Sequence, residues 1–194
     1  MLFRSIEPNP DGNQGDRSNS YARLLGELQF IANATRPDIA FAVNKLASYT
    51  ANPSLQHSGM LKRVLRYLAG TKEYAIKYLA NPRVDNRLQG YADASYVNTG
   101  DCKSVSGYVF MLGSGAISWR SKKQTIIALS STEAEYVALS EAAREAIWLR
   151  SLLIEMELSQ NSPIVIKGDN DGSLVIAKNQ QFHTSAKRFC YIPA

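Results

Sequence analysis

The sequence predicts an α/β protein: a mixed sheet, made of a three-strand antiparallel meander plus one parallel strand, with helices packed on it and a helical segment before it. Three observations carry this. Apolar residues recur at helical spacing in the first part of the chain and give way, after the Asn81-Pro82 break, to short runs rich in β-branched and aromatic residues. A long helical pattern over residues 130–156 separates those runs from a last apolar stretch, Ile164 to Lys167. A strand reached through a helical crossover pairs parallel to an earlier one, so this stretch is expected beside the first strand.

Taken in order, residues 1–20 are rich in Asn, Asp, Gly and Ser and are predicted to be a disordered leader. In the helical segment over 21–82, Leu24, Leu25, Leu28 and Ile31 form the first buried stripe. Thr35 with Asp38 three residues later, and Pro37 between them, signals a second helix start, with Ile39, Val43 and Leu46 as its buried positions. A third helix after Asn52-Pro53 places Leu61, Val64, Leu65 and Leu68 on one face; Gly70 stops it. Lys62, Arg63 and Arg66 project elsewhere, which makes this helix the candidate nucleic-acid contact.

Residues 87–194 hold the sheet. Strands are expected at 87–93, 105–112 and 115–121, with Gly113 and Gly115 at the second turn. Ser130 and Glu133 stand at capping-box spacing to open the long helix, whose apolar face is Leu139, Ala142, Ala146, Leu149 and Leu153. A short helix over 171–179 follows the last strand. Glu133, Glu141 and Glu145 read as solvated, and Trp119 and Trp148 as core or groove residues.

With 194 residues and 45% apolar content, the chain has enough material for one packed domain and a helical lead-in. It has no run of 18 apolar residues and its start lacks a signal-peptide pattern, which argues against a membrane or secreted protein. The two cysteines, Cys102 and Cys190, match no zinc spacing, and reduced thiols in the cytoplasm or nucleus are expected. The net charge of +5 lies entirely before residue 88; residues 88–194 are balanced. Such an excess suits a phosphate backbone, and a solvated face explains it equally well.

Three acids carry the chemistry. Asp93 in GYADAS and Asp169 in PIVIKGDN stand at strand ends, and Glu135 in SSTEAEYVAL lies in the first turns of the long helix, on the face of Leu139 and Ala142. In an open α/β sheet the carboxyl ends of neighbouring strands share one crevice, and a helix packed on the sheet can add a third carboxylate. Three carboxylates brought close repel one another unless a divalent cation neutralises them, and hard oxygen donors suit Mg²⁺ or Mn²⁺. A pair of such ions can activate water and stabilise a leaving oxygen in phosphodiester hydrolysis.

The motifs GYADAS, KSVSGYVF, ISWRSKKQ, ALSSTEAEYVALSEA, WLR and DNDGSLVIAKN occur in this order. From about residue 88 the chain resembles the ribonuclease H domain of Copia-type (Ty1-like) retrotransposon polyproteins. Upstream, YARLLGELQFIANATRPDIAFAVNKLA, NPSLQHSGMLKRVLRYLAGT and YAIKY resemble the thumb-to-ribonuclease H connection of the same elements. The resemblance implies a ribonuclease H-like fold that cuts the RNA strand of RNA–DNA hybrids with bound Mg²⁺ or Mn²⁺, two ions in all, and other parts of a polyprotein as partners. It assigns Asp93, Glu135 and Asp169 as metal-binding catalytic acids. Ser95, Ser131 and Asn170 are then the polar groups expected to touch the hybrid through 2′-hydroxyl or groove contacts.

Family members continue with a segment HxRTKHID, whose acid completes a set of four, and a terminal helix. Here the stretch reads HTSAKRFCYIPA: Cys190 takes the acid's place, His183 and Lys187 remain, and the domain is expected to be incomplete at its carboxyl end. Losing a ligand should cost at least the roughly 10–100-fold that losing a ligand's supporting partner costs. His183 is an accessory candidate. No YxDD motif occurs, which excludes polymerase chemistry. A second reading is a non-catalytic, nucleic-acid-binding remnant that keeps the fold and the basic helix.

Overall fold

The computed structural model describes residues 6, 8, 9, 20–79, 87–97, 101–158 and 162–178. The chain divides into two compact units, Met1–Ile76 and Lys77–Ala194. No helix among the described residues is long and apolar enough to cross a membrane.

The first unit is helical: α1 (Ser20–Ala34), a 3-10 turn (Pro37–Ile39), α2 (Ala40–Ala47) and α3 (Leu55–Gly70). Its core joins Leu25 and Leu28 of α1 to Ile39, Val43, Leu46, Leu61 and Val64, as the stripes predict. Ile6, from the stretch expected to be a leader, is also buried there, and its carbonyl accepts a hydrogen bond from Tyr49 Oη at 2.8 Å. Residues 1–5, 7 and 10–19 lie outside the described residues. Leu65, expected in the core, is 37% exposed, because α3 buries only a narrow stripe.

The helix start at Thr35 differs from expectation. Thr35 Oγ1 turns back to the Ile31 carbonyl, and no side chain among the described residues caps the 3-10 turn. Asp38 instead holds the buried Arg36 through two bonds of 2.9 and 2.7 Å, while Arg36 also donates to the Thr71 carbonyl and hydroxyl. An arginine fork takes a carboxylate bidentately, a stronger interaction than a single cap bond. At the head of α3, Ser54 and His57 form a reciprocal capping box, with the histidine where a Glu or Gln is usual.

The second unit is a four-strand mixed sheet of ribonuclease H type, order β3-β2-β1-β4, built from β1 (Gln89–Ser95), β2 (Val105–Leu112), β3 (Gly115–Lys123) and β4 (Val165–Lys167). β1–β2 and β2–β3 are antiparallel, and β4 is parallel to β1, with Tyr91 opposite Lys167. α4 (Ser131–Glu155) and α5 (Asp171–Lys178) complete it. Leu88, Ala92 and Phe110 of the sheet side pack with Ala142, Ala146, Leu149 and Leu153 of α4.

β1 runs two residues past Asp93, because Ser95 still finds a partner in Val105. The β2–β3 turn is Gly113-Ser114, both at positive φ (56° and 71°), the two-residue hairpin geometry that matches strand twist. Gly115 serves a different purpose: it lies in β3, where a Cβ would collide with the ring of Tyr78. Tyr78 Oη donates to the Ala116 carbonyl at 2.6 Å, so the chain from residue 77 onward belongs with the sheet.

Ser130 caps α4, accepting from Glu133 N at 3.1 Å, and Glu133 accepts from Leu129 N. At its far end Glu157 takes φ 60°, with Leu158 N bonded to the Leu153 carbonyl and Glu157 N to that of Ile154. That is a Schellman termination without its usual glycine. Glu145, expected to be solvated, is instead held to the sheet by Ser118 Oγ at 2.6 Å. Trp148 is 57% exposed and so is no core residue.

Candidate metal centre

Asp93 and Asp169 are brought together by strand register. Tyr91 and Lys167 are the last parallel pair of β1 and β4, and each acid lies two residues beyond its member of that pair. Adjacent strands run about 4.8 Å apart, so acids at equal offsets start as neighbours. A Cβ at Gly168 would make only ordinary contacts, 3.8 Å from the Ala92 carbonyl oxygen and 3.5 Å from Leu139. Glu135 enters from the second turn of α4, one residue beyond Ala134, which is completely buried.

One carboxylate oxygen from each of Asp93, Glu135 and Asp169 lies within 4.8 Å of the others. Oxygens sharing one ion stand at most about twice the metal–oxygen distance apart, about 4–5 Å for Mg²⁺ to Ca²⁺. The set therefore fits a single hard cation, and its all-oxygen chemistry fits no soft one. Asp93 and Asp169 are exposed and Glu135 is 7% exposed. Burial pushes the Glu135 carboxyl up to about 7; a bond from the Ala94 N–H opposes this, and the charges of Asp93 and Asp169 add to it. The cluster thus carries an uncompensated repulsion that a cation would relieve.

The other candidates fall in different places. Asn170 caps α5: its Oδ1 accepts from Ser173 N at 2.9 Å, and its carbonyl accepts from Ser173 Oγ. Ser95 is the last residue of β1, and Ser131 the exposed first residue of α4. Lys62, Arg63 and Arg66 belong to the helical unit and are exposed on α3, where Arg63 and Arg66 line an open groove of about 790 Å³ with Gln56, Met60 and Tyr67. His183 lies outside the described residues, as do Lys187 and Cys190. Gln124, whose carboxamide bonds the Ala134 carbonyl beside Glu135, was not signalled by the sequence.

No protein-family model matches the chain. Over 168 residues, 86% of its length, it is 41% identical to the Retrovirus-related Pol polyprotein from transposon RE2 of Arabidopsis thaliana and 39% identical to that from transposon TNT 1-94 of Nicotiana tabacum. The chain belongs to the Copia/Ty1-type retrotransposon Pol polyproteins. It spans about 11% and 12% of the length of those two relatives. It is also 45% identical over 130 residues to the Secreted RxLR effector protein 161 of Plasmopara viticola, covering 90% of that protein. The transposon matches agree with the family read from the sequence, and the ribonuclease H-type sheet of this Copia-type chain is where the three acids meet.

Proposed function

We propose that the second unit is a divalent-metal-dependent ribonuclease that hydrolyses the RNA strand of RNA–DNA hybrids. The observation that carries this reading is the convergence of Asp93, Glu135 and Asp169 from three elements onto a set of oxygens within 4.8 Å. Membership in the Copia-type Pol polyproteins and the order of motifs favour the hybrid as substrate. A bound Mg²⁺ or Mn²⁺ would supply Lewis-acid activation of water and neutralise charge on the phosphodiester. The protein's own groups do the rest. Glu135, buried and tied to the Ala94 amide, anchors the site from below. Asp93 and Asp169, exposed, present carboxylate where a backbone phosphate can approach. Glu135 must give up its proton before it can ligate, so cation binding weakens as pH falls below about 7.

The test is Mn²⁺ titration and gel analysis of a labelled RNA–DNA hybrid, with Asp93→Asn as the control. Ion-dependent cleavage that the substitution abolishes supports the proposal; a wild-type protein that takes up no ion and cuts nothing ends it. A second reading, binding without cleavage, is favoured by the exposed Lys62, Arg63 and Arg66 of α3, the two arginines lining its groove, and by the cysteine at position 190. It would show as salt-sensitive hybrid retention with no product.

A further inference from the structure

Gln124 follows β3 and is 2% exposed. Its backbone N–H extends the β2–β3 ladder by bonding the Ser104 carbonyl at 2.8 Å. Both hydrogens of its carboxamide are used: Nε2 donates to Ser106 Oγ and to the Ala134 carbonyl, each at 2.9 Å. The Ala134 carbonyl accepts only, which fixes the orientation of the amide; the reverse would set two oxygens against each other. Oε1 is buried with no hydrogen-bond partner among the described residues. A glutamine that leaves its own acceptor unmatched in order to place two donors is costly unless those donors matter.

Both acceptors adjoin acids. The Ala134 carbonyl belongs to the peptide unit that continues into Glu135. Ser106 is paired across the sheet with Ala94, the residue after Asp93 and the one whose amide bonds the Glu135 carboxyl. One buried carboxamide therefore clamps the first turns of α4 to the strand beside β1, at the height of two of the three carboxylates. We propose that Gln124 is a positioning residue for the metal centre: it holds Glu135 over Asp93 and Asp169 against their mutual repulsion. The inference rests on the metal reading above, and it assigns Gln124 no contact with ion or substrate.

Gln124→Met keeps length and apolar bulk while removing both donors; Ser106→Ala removes one acceptor and leaves the Ala134 bond. Mn²⁺ titration of the full chain should show affinity falling about 10–100-fold in Gln124→Met and less in Ser106→Ala, the range for losing a ligand's supporting partner. A purely structural role would lower the melting temperature and leave affinity unchanged, and that result overturns the proposal. A metal-free readout separates this from failure of the metal reading. Amide hydrogen exchange in Gln124→Met should lose protection at Ala134–Ala138 while Leu149–Leu153, at the other end of α4, keeps it. Protection that stays equal at both ends overturns the clamp, whether or not the wild-type chain binds an ion.

Discussion

Replacing Glu135 with glutamine should make the metal-free sheet unit more stable at pH 8 and change little at pH 5. In the folded chain the Glu135 carboxyl is pushed up to about 7, against 4.5 ordinarily. Between those values the folded state holds a proton that the unfolded chain has released, so stability falls as pH rises from about 4.5 to 7 and stays low above it. A gap of this size corresponds to at most about 3.5 kcal/mol at roughly 1.4 kcal/mol per pH unit. Burial is the largest cause, the charges of the water-exposed Asp93 and Asp169 add a screened share, and discounting for the site's partial contact with solvent leaves about 1.5 kcal/mol. A glutamine side chain at this position avoids the penalty, since its amide can accept from Ala94 and donate to Asp93 without charge. Trp119 and Trp148 both lie in this unit, so fluorescence-detected melting reports on it directly. In EDTA at pH 8, Glu135→Gln should melt about 3–6 °C above the wild type, and the gap should close at pH 5. Adding Mg²⁺ should then raise the wild type more than the variant. Equal melting points at pH 8, or a wild type that gains stability relative to the variant as pH rises, would refute the argument that burial and the neighbouring acids penalise the Glu135 charge.

Three further substitutions test the packing. Gly90→Ala puts a methyl 2.6 Å from the ring of Phe110, which is fully buried and cannot yield, and should cost about 2 kcal/mol by urea denaturation. Arg36→Met should destabilise the helical unit by about 2 kcal/mol in the same assay, below the roughly 3–5 of a fully buried pair because Asp38 keeps part of its water. Arg36 holds the Asp38 carboxyl below its ordinary range, so the bridge contributes at neutral pH and its contribution drains away on acidification below about 4; the variant should lack that acid-sensitive component. Glu157→Gly relieves a left-handed residue (φ 60°) in the α4 termination and should raise stability by about 1 kcal/mol, visible as a higher melting temperature.

Much of the sheet unit could be read from local pattern, because its elements announce themselves. Ser130 with Glu133 marked the start of α4 within a residue, and the apolar face from Leu139 to Leu153 told which side meets the sheet. The three acids could be found because each sits beside a recognisable boundary. What escaped was set by partners distant in the chain. β1 outlasts Asp93 only because Val105 is there to pair with Ser95. Glu145 looked like a surface charge until Ser118 met it across the sheet–helix interface. Gln124 has no period, cap or turn signature; its burial depends on β3 and α4 closing over it at once. In the helical unit, Asp38 had two possible uses, and the nearby Arg36 outcompeted the helix terminus for it.

The shared offset of Asp93 and Asp169 from the Tyr91–Lys167 pair makes the chain unequally tolerant of length changes. Residues can be added to or removed from the connection between α4 and β4 without shifting either carboxylate along its strand. A single deletion between Ile166 and Asp169 would retract the second acid by about 3.3 Å and turn it to the opposite side. Sequence drift among such elements should accordingly accumulate before Ile164 and be forbidden in the few positions after it.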